Sequence, residues 1–232
     1  MPERHFVKYT FLKVDPAWRR LDADERAQHK LEFIAGCEDF ADGHLLQTLS
    51  LVGTRGDADL LIISEAENLE RIHEFHVVLN QSGLMRWADM PYSFLGMRKS
   101  SEYTDDVRMT PRPFRGKYVF VYPFVKTRAW YALPGEERWR IMQGHIQVGR
   151  EYPTVDNHTT YSFGLDDQEF VVAFDTDDVA TFLDLVQRLR TTEASAYTAR
   201  DTPSFTCIAT SLPRALGALD GEPLPAEATA TA

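Results

Sequence analysis

The amino-acid sequence predicts an α+β fold assembled from two copies of one structural unit. A first indication is the order of predicted elements, strand, helix, strand, strand, helix, which begins near His5 and begins again near Lys117. A second is the similarity of two segments, VDPAWRRLDADER and KTRAWYALPGEER, which aligns Trp18 with Trp130. Self-similarity on this scale indicates a repeated structural unit.

Hydrophobic periodicity and turn residues define the elements of the first copy. Alternating apolar residues predict strands, whereas apolar residues three and four positions apart predict helices. The first copy contains strands at residues 5–14, 45–52 and 57–63, helices at residues 16–35 and 67–79, and a further strand near residues 92–98. Strands 45–52 and 57–63 should form a hairpin, because a glycine-bounded turn separates them.

The second copy repeats this order. It contains strands at residues 117–126, 155–163, 169–174 and 204–209 and helices at residues 134–151 and 178–190. Pro134 suits the start of its helix because a missing amide hydrogen costs nothing there, and Glu136 and Glu137 complement the helix dipole. The beginning of that helix is therefore well marked.

Each copy has the element order of a ferredoxin-like unit. We expect a duplicated ferredoxin-like subunit, also called a dimeric α+β barrel, with two antiparallel sheets side by side and helices on their outer faces. Residues 1–112 form the first repeat, which we expect to be structural, and residues 113–212 form the second. Residues 213–232 are rich in alanine, proline and threonine, so a flexible tail is expected there.

Composition and charge restrict the class of protein. Of the 232 residues, 44% are hydrophobic and 26% are charged, which is typical of a globular protein. The net charge of -10 argues against binding to nucleic acid or to an anionic membrane surface. No apolar run is long enough for a membrane span and the N-terminus lacks a signal-peptide core, so a cytoplasmic location is expected. Cys37 and Cys207 form no CxxC pattern and should be buried and unpaired.

The helix at residues 134–151 carries His145 within its apolar stripe. Ile141, His145 and Val148 recur at helical spacing, as do Trp139 and Met142, so His145 should face the core. Taken alone, such a histidine is more often a hydrogen-bonded core residue than a metal ligand. The residue pattern leaves both interpretations open.

The strand at residues 117–126 places a phenol and an amine on one face. Alternation puts Tyr122 and Lys126 on the same side of the sheet, with Val119 and Val121 on the other. Taken alone, this is more simply an amphipathic strand end whose lysine reaches solvent.

The two copies differ at these polar positions. The alignment sets Phe33 against His145, Thr10 against Tyr122 and Val14 against Lys126. A purely structural duplication would not need this asymmetry. The second copy is therefore the better candidate for a functional site, and the first copy for its support.

Other patterns give weaker indications of metal or nucleotide chemistry. His73 and His76 have ligand-like spacing, but such pairs are common on the solvated face of a helix. The acidic segment GLDDQEF at residues 164–170 could be a metal loop, although a hairpin turn with aspartate caps explains it more simply. No dinucleotide-binding glycine motif, phosphate-binding loop or GxSxG motif is present.

Longer motifs resemble a known family. VYPFVKTRAWYALPGEER, MxxHIQVGREYP, TTYSFGLDDQEFVVAF and EASAYTARDTPSFTC resemble the chlorite dismutase-like superfamily, and within it the coproheme decarboxylases, or haem b synthases. The resemblance covers nearly the whole chain and is densest at residues 117–208. It implies a homopentamer of double ferredoxin-like subunits, with haem bound in the C-terminal half of each.

The resemblance also implies roles for individual residues on the helix side of the haem. His145 corresponds to the proximal iron ligand, and Glu193 to the carboxylate that accepts a hydrogen bond from that histidine. Lys126 corresponds to a neighbour across the haem edge. Trp130 and Tyr131 match an aromatic pair beside the haem.

On the distal side, the resemblance separates two sub-classes. Chlorite-degrading members use an arginine in the strand that here contains Asn157 and His158, so efficient chlorite dismutation is not expected. The alignment leaves open which of these two residues points at the iron. The tyrosine of the decarboxylase YPF motif is present as Tyr122, and His158 could be the base that deprotonates peroxide.

The implied reaction is the hydrogen peroxide-dependent decarboxylation of coproheme III to haem b, with coproheme as substrate and redox cofactor. Peroxide oxidises the iron, Tyr122 becomes a radical that abstracts hydrogen from a propionate, and loss of carbon dioxide leaves a vinyl group. Lys126 can pair with a propionate, and further propionate partners would come from a pool of five residues: Arg108, Arg112, Arg115, Arg128 and Ser204. Two alternatives stay open: a haem b-binding chlorite dismutase-like enzyme or weak peroxidase, and a non-catalytic haem carrier.

Overall fold

The structure is a computed structural model that describes residues 4–104 and 111–224. In the first half the elements are β1 (Phe6–Val14), a 3₁₀ helix (Pro16–Arg20), α1 (Ala23–Ala41), β2 (Leu45–Ser50), β3 (Leu60–Ala66), α2 (Leu69–Leu79), a 3₁₀ helix (Leu84–Trp87) and β4 (Ala88–Met97). In the second half they are β5 (Tyr118–Lys126), α3 (Arg128–Ala132), α4 (Gly135–Arg150), β6 (Asp156–Asn157), β7 (Thr160–Tyr161), β8 (Phe170–Thr176), α5 (Val179–Arg190), a 3₁₀ helix (Glu193–Tyr197), β9 (Thr198–Arg200), β10 (Phe205–Ala209) and α6 (Leu212–Gly217).

The predicted helix at residues 16–35 is two helices in the structure. Extended backbone at Leu21, with ψ of 160°, separates the short 3₁₀ helix from α1. The side chain of Asp15 caps the 3₁₀ helix by accepting a hydrogen bond from the Ala17 amide at 2.7 Å. The α1 helix then continues to Ala41, because Cys37 and Phe40 extend its buried stripe.

The predicted strand at residues 155–163 is broken into β6 and β7, which both pair with β8. Between them, the side chain of Asn157 accepts a hydrogen bond from the Thr159 amide at 2.8 Å. This bond satisfies the Thr159 amide locally, while the His158 amide still donates to the Ala173 carbonyl of β8 at 2.8 Å. The register against β8 is nevertheless the same on both sides of the break, with Asn157 opposite Phe174 and Tyr161 opposite Phe170.

The two antiparallel sheets that were expected side by side are joined to each other in the structure. Within the described residues, ten strands form one sheet in the order β6-β8-β7-β4-β1-β3-β2-β10-β5-β9, and β8 also pairs with β5. The two halves are joined by antiparallel pairs at β2–β10 and at β4–β7. The pairings therefore close into a ring of strands, which satisfies backbone groups that two separate sheets would leave unpaired at their edges.

The ring has an apolar interior, and the helices cover its outside. The interior cluster contains Tyr9, Phe11, Leu61, Val121 and Phe205. Outside the first half, α1 and α2 cover a second cluster that includes Trp18, Phe33 and Phe75. Outside the second half, a smaller cluster contains Trp130, Ile141 and Ala194.

The prediction of a flexible tail from residue 213 is wrong for its described part. The α6 helix and the residues after it pack on α1, with Leu216, Leu219 and Leu224 in the first-half cluster. The Asp220 carboxylate pairs with Lys30 at 2.6 Å and with Arg26 at 2.9 Å. Apolar burial and these ion pairs together hold the segment in place. Residues 225–232 of the predicted tail lie outside the described residues.

Two predictions from composition can be compared with the described residues. Cys37 and Cys207 are free and buried, as predicted. Among the described helices, none is both long and apolar enough to span a lipid bilayer.

Candidate functional site

The alternation predicted for β5 is confirmed and defines two faces. Val119 and Val121 are buried inside the ring of strands. On the other face, the Phe120 ring stacks on Phe182 of α5 with centroids 3.6 Å apart. Since side chains alternate along a strand, Tyr122 and Lys126 share the helix-facing side with Phe120. The candidate site is therefore the layer between β5 and the helices α4 and α5.

His145 lies on α4, which borders this layer, and is half-buried. Its Nδ1 atom lies 3.4 Å from the Thr192 hydroxyl oxygen. Burial, reinforced by the positive charge of Lys126, lowers the pKa of His145 to about 4. The imidazole is therefore neutral near pH 7, which is the form that binds a metal ion.

The neighbours of His145 on α4 are partly as predicted. Ile141 and Val148 are the buried residues of this helix. Trp139, which was expected in the apolar stripe, is 54% exposed, because it lies on the outer side of the helix. The buried stripe of α4 is thus narrower than the sequence pattern indicates.

Lys126 lies at the end of β5 among aromatic groups. Its ammonium group donates to the Ala194 carbonyl oxygen at 3.1 Å and lies 4.5 Å from the centre of the Trp130 ring. Burial lowers the pKa of Lys126 to about 8, although the Glu169 carboxylate acts in the opposite direction. The group is a cation at neutral pH that can lose its proton slightly above it.

Tyr122 is half-buried on the same face of β5. Burial raises the pKa of its phenol, so the hydroxyl group stays protonated at neutral pH. Arg190 and Asp201, which form an ion pair with each other, are the charged groups that act on it. Sequence reasoning missed this pair, because the two residues, on α5 and just after β9, approach each other only in the folded chain.

Trp130 and Tyr131 lie together on α3, as their adjacency requires. Trp130 is buried, and its ring centre lies 5.4 Å from that of Tyr197. The Tyr131 hydroxyl group donates to the Glu169 Oε2 atom at 2.6 Å.

Glu169, which sequence reasoning did not single out, also accepts a hydrogen bond from the Lys126 amide at 2.8 Å. The sequence offered one indication of its role, since Glu169 is the first residue of the predicted strand at residues 169–174. A carboxylate that is buried there needs hydrogen-bond partners.

Glu193 does not have the partner predicted for it. Its carboxylate binds Arg140 with both oxygens at 2.9 Å, and its side chain is 52% exposed. The residue beside it, Thr192, lies next to His145 instead. Glu193 is exposed at the start of a 3₁₀ helix, where Arg140 on the neighbouring α4 reaches it more easily than the inner imidazole does.

The strand register separates Asn157 from His158. His158 donates its amide to the Ala173 carbonyl, is 2% exposed, and shares a 2.7 Å hydrogen bond with Asp175. Ala173 belongs to the interior cluster, so His158 faces the inside of the ring. His158 and Tyr122 therefore lie on opposite faces of the sheet, and this geometry does not support the predicted role of His158 as the base that deprotonates peroxide.

Asn157 occupies the other face of the sheet. It pairs with Phe174, whose ring packs on Phe182 of α5 with centroids 5.6 Å apart. Phe174 in turn pairs with Phe120 of β5. Of the two residues that the alignment left open, Asn157 is the one on the side of Tyr122 and the helices.

The predicted propionate partners are scattered. Arg112 pairs with Asp156 at 2.8 Å, and the Arg128 side chain is 94% exposed. Arg115 is exposed as well, while Arg108 lies outside the described residues. Ser204 is exposed and precedes Phe205, which pairs with Val121, so it lies near the Tyr122 end of the site.

The acidic segment at residues 164–170 forms a turn, as the simpler interpretation predicts. Asp166 accepts hydrogen bonds from the amides of Leu95 and Asp167 at 2.7 and 2.8 Å. A different group of possible metal ligands, Asp156, His158 and Asp175, has ligand atoms within 4.8 Å of one another. Arg112 already neutralises Asp156 there, so the group is better explained as a structural ion-pair network.

Comparison with known proteins agrees with the family suggested by the sequence motifs. A family model described as chlorite dismutase matches residues 25–210. The coproheme decarboxylase of Mycolicibacterium smegmatis is 32% identical over 159 residues, which cover 67% of this chain and 69% of that protein.

Solved structures have the same mixed fold with an antiparallel sheet. A mutant chlorite dismutase from Candidatus Nitrospira defluvii superposes with a TM-score of 0.85 and is 23% identical, covering 91% of this chain and 94% of that one. A haem-binding protein from Thermus thermophilus has a TM-score of 0.81 and is 26% identical, covering 95% of this chain and 99% of that one. On the strength of the family model and the M. smegmatis relative, the chain belongs to the chlorite dismutase family.

Proposed function

We propose that this protein is a peroxide-dependent coproheme decarboxylase that converts coproheme III to haem b. The observation that carries the proposal is the arrangement of Tyr122 and Lys126 on the helix-facing side of β5, in the layer bordered by the neutral His145. The 32% identical relative named coproheme decarboxylase supports the same reaction.

The donor set of this layer fits an iron porphyrin. The neutral imidazole of His145 would bind the iron, and its Nδ1 atom faces the Thr192 hydroxyl. Its Nε2 atom makes no hydrogen bond to any residue at 4–104 or 111–224. Trp130 and Tyr131 offer aromatic surface nearby. The set contains one metal ligand, apolar walls and a cation, which is what a porphyrin with acidic substituents requires.

Coproheme III would supply the iron that takes oxidising equivalents from hydrogen peroxide and the propionates that lose carbon dioxide. Tyr122 would carry these oxidising equivalents to a propionate, from which its oxidised form accepts a hydrogen atom. Because burial keeps its phenol protonated, its oxidation removes an electron and a proton together. The oxidised side chain would take a hydrogen atom from a propionate and return to a phenol.

Lys126 would hold a propionate before its carboxylate is lost. Its ammonium group is charged below pH 8, and its Ala194 carbonyl partner is neutral, so the positive charge is available to an anion. Ser204, at the Tyr122 end of the site, is the other member of the predicted propionate pool that we retain. Asn157, and no arginine, lies on the helix-facing side of β6, which argues against efficient chlorite degradation.

We also propose that the chain consists of two ferredoxin-like repeats, residues 1–112 and 113–212, and assembles as a homopentamer. In support, each half begins with a strand, helix, strand, strand, helix order once β6 and β7 are counted as one interrupted strand. Sedimentation analysis of the porphyrin-loaded protein would test the pentamer, since a monomer or dimer would contradict it.

The decarboxylase proposal can be tested with ferric coproheme bound to the full-length protein. Titration with hydrogen peroxide should lower the porphyrin mass in two steps, each of which removes one carbon dioxide and two hydrogen atoms and consumes one hydrogen peroxide. Tyr122→Phe should bind coproheme normally but release no carbon dioxide, because its ring lacks the transferable hydrogen.

Tyr118→Phe is the matched control, because Tyr118 lies on the same face of the same strand but at the end opposite Lys126. It should behave as the unsubstituted protein. Carbon dioxide release by Tyr122→Phe at the unsubstituted rate would contradict the proposal. Rapid oxygen release from chlorite would instead favour a chlorite-degrading enzyme.

A further inference from the structure

Two tyrosines border the candidate site, and their hydroxyl groups have different surroundings. The Tyr131 hydroxyl donates to Glu169 at 2.6 Å, a short hydrogen bond to a carboxylate residue that is 8% exposed. The Tyr122 hydroxyl makes no hydrogen bond to another residue in the described ranges. Only one of the two phenols therefore has a proton acceptor in place.

Glu169 is held firmly in this position. Its Oε2 atom accepts hydrogen bonds from the Tyr131 hydroxyl and from the Lys126 amide, while Oε1 lies 4.0 Å from the Arg128 guanidinium group. The strand that follows it begins at the next residue and pairs with β5 along its length. A carboxylate fixed at hydrogen-bond distance is the geometry that general-base catalysis requires.

The Tyr131–Glu169 pair is connected to the proposed iron ligand through few side chains. Tyr131 packs against the cluster of Trp130, Ile141 and Ala194. The Lys126 ammonium group lies over the Trp130 ring and is close enough to His145 to act on its titration. Tyr131 thus packs against the same small cluster to which α4, the helix of His145, contributes Ile141.

We infer that Tyr131 is a second oxidisable tyrosine of this site, with Glu169 as its proton acceptor. The inference rests on the proposed function, which supplies the oxidant: an iron porphyrin oxidised by peroxide. In the step, Tyr131 gives one electron to that oxidant and its hydroxyl proton to Glu169. The products are a neutral phenoxyl radical, a protonated Glu169 and a porphyrin reduced by one electron. Tyr131 therefore competes with Tyr122 for oxidising equivalents.

The first test uses the full-length protein without porphyrin. A ruthenium(II) polypyridyl complex, illuminated with persulfate as electron acceptor, oxidises tyrosines, and a nitroso spin trap marks the residues that become radicals. Mass spectrometry of the peptides then gives the trap yield at Tyr131 relative to Tyr122. Glu169→Gln should lower this ratio about tenfold, because an amide cannot take up the proton. An unchanged ratio would overturn the inference.

A second test covers the case in which Glu169→Gln fails to fold, as circular dichroism would reveal. Here coproheme-loaded Tyr122→Phe is mixed with hydrogen peroxide and frozen for electron paramagnetic resonance. A tyrosyl radical signal should remain in Tyr122→Phe and disappear in the double variant with Tyr131→Phe. Both changes remove one hydroxyl group and keep the ring. Absence of the signal in Tyr122→Phe would overturn the inference, as would its persistence in the double variant.

Failure of the proposed function gives a different result from failure of this inference. If the protein is not a decarboxylase, peroxide leaves the coproheme mass unchanged while the ruthenium experiment still marks Tyr131. If Tyr131 is not the oxidised residue, carbon dioxide is released normally while the trap ratio does not respond to Glu169→Gln.

Discussion

The two halves of the molecule fill the space beneath their helices in different ways. In the first half, α1 buries seven of its 19 residues, including Phe33 and Phe40, against the sheet. In the second half, α4 buries two of its 16 residues, Ile141 and Val148. The layer between β5 and α4 instead contains half-buried polar side chains, among them Tyr122, Lys126 and His145. The same order of elements therefore supports a sealed apolar core in one half and a partly polar layer in the other.

This difference indicates how the folding free energy is distributed. Close-packed apolar side chains supply most of the stability of a domain, so the first half and the interior of the ring should account for it. The layer beneath α4 can then keep groups whose charged forms burial disfavours, namely His145 and Lys126, whose pKa values are both lowered. Substitutions at corresponding positions should separate stability from ligand binding.

The largest effects are expected from Phe33→Ala and His145→Ala, the residues that the alignment of the two copies sets against each other. Phe33→Ala should lower the free energy of unfolding by about 3–5 kcal/mol, because it leaves a cavity in a packed core. His145→Ala should change the unfolding free energy much less. It should weaken porphyrin binding by more than about 100-fold, since even changes around a metal ligand often cost about 10–100-fold.

Urea unfolding and absorbance titration with ferric coproheme measure these two quantities. Phe33→Leu, which keeps most of the buried volume, is the control for the first substitution, and His145→Gln is a control for the second. Equal losses of stability in Phe33→Ala and His145→Ala would contradict the division between the two halves. An unaltered axial absorption spectrum in His145→Ala would exclude this residue as the iron ligand.

A smaller contrast is expected between two ion pairs. Asp220→Ala should lower the unfolding free energy by about 3 kcal/mol, because it leaves Lys30, which is 2% exposed, without its carboxylate partner. Glu193→Ala removes an exposed partner of Arg140 and should cost less than about 1 kcal/mol. Thermal unfolding of both variants at low and high salt measures the difference. If Asp220→Ala lowered the unfolding free energy as little as Glu193→Ala, the segment after α6 would add little stability.

The smallest effect concerns the pH dependence of coproheme binding. Since the pKa of Lys126 is lowered to about 8, its positive charge is present below that pH and is lost as the pH rises through it. Affinity for the acidic porphyrin should therefore fall up to about tenfold between pH 7 and pH 9. His145 stays neutral throughout this range, because its pKa is lowered to about 4.

Lys126→Met keeps most of the length of the side chain and removes its charge, so it should bind coproheme more weakly at pH 7 and show no change toward pH 9. Absorbance titrations at the two pH values make the comparison. The same pH dependence in Lys126→Met as in the unsubstituted protein would show that another group binds the propionate.

Much of the fold and part of the site could be predicted from the sequence, because local periodicity carries that information. Strand alternation alone puts Tyr122 and Lys126 on the same side of β5. Helical spacing alone puts His145 near Ile141 and Val148. Turn chemistry explains the acidic segment around Asp166 without a metal ion.

The remaining features depend on groups that meet across long stretches of chain. The hydrogen bond between Tyr131 and Glu169 spans 38 residues, and the one between Lys30 and Asp220 spans 190. The face of His158 follows from the pairing of β6 with β8, since a shift of one residue in that pairing would have turned it outward.

By itself, the sequence determined most of the strands and helices and the side chains of β5 that share a face, since both follow from periods of two and 3.6 residues. Only the tertiary structure decided that the sheets join into one ring, that His158 lies inside it, and that Glu193 binds Arg140. These outcomes depend on strand register and on contacts between distant segments, neither of which local periodicity encodes.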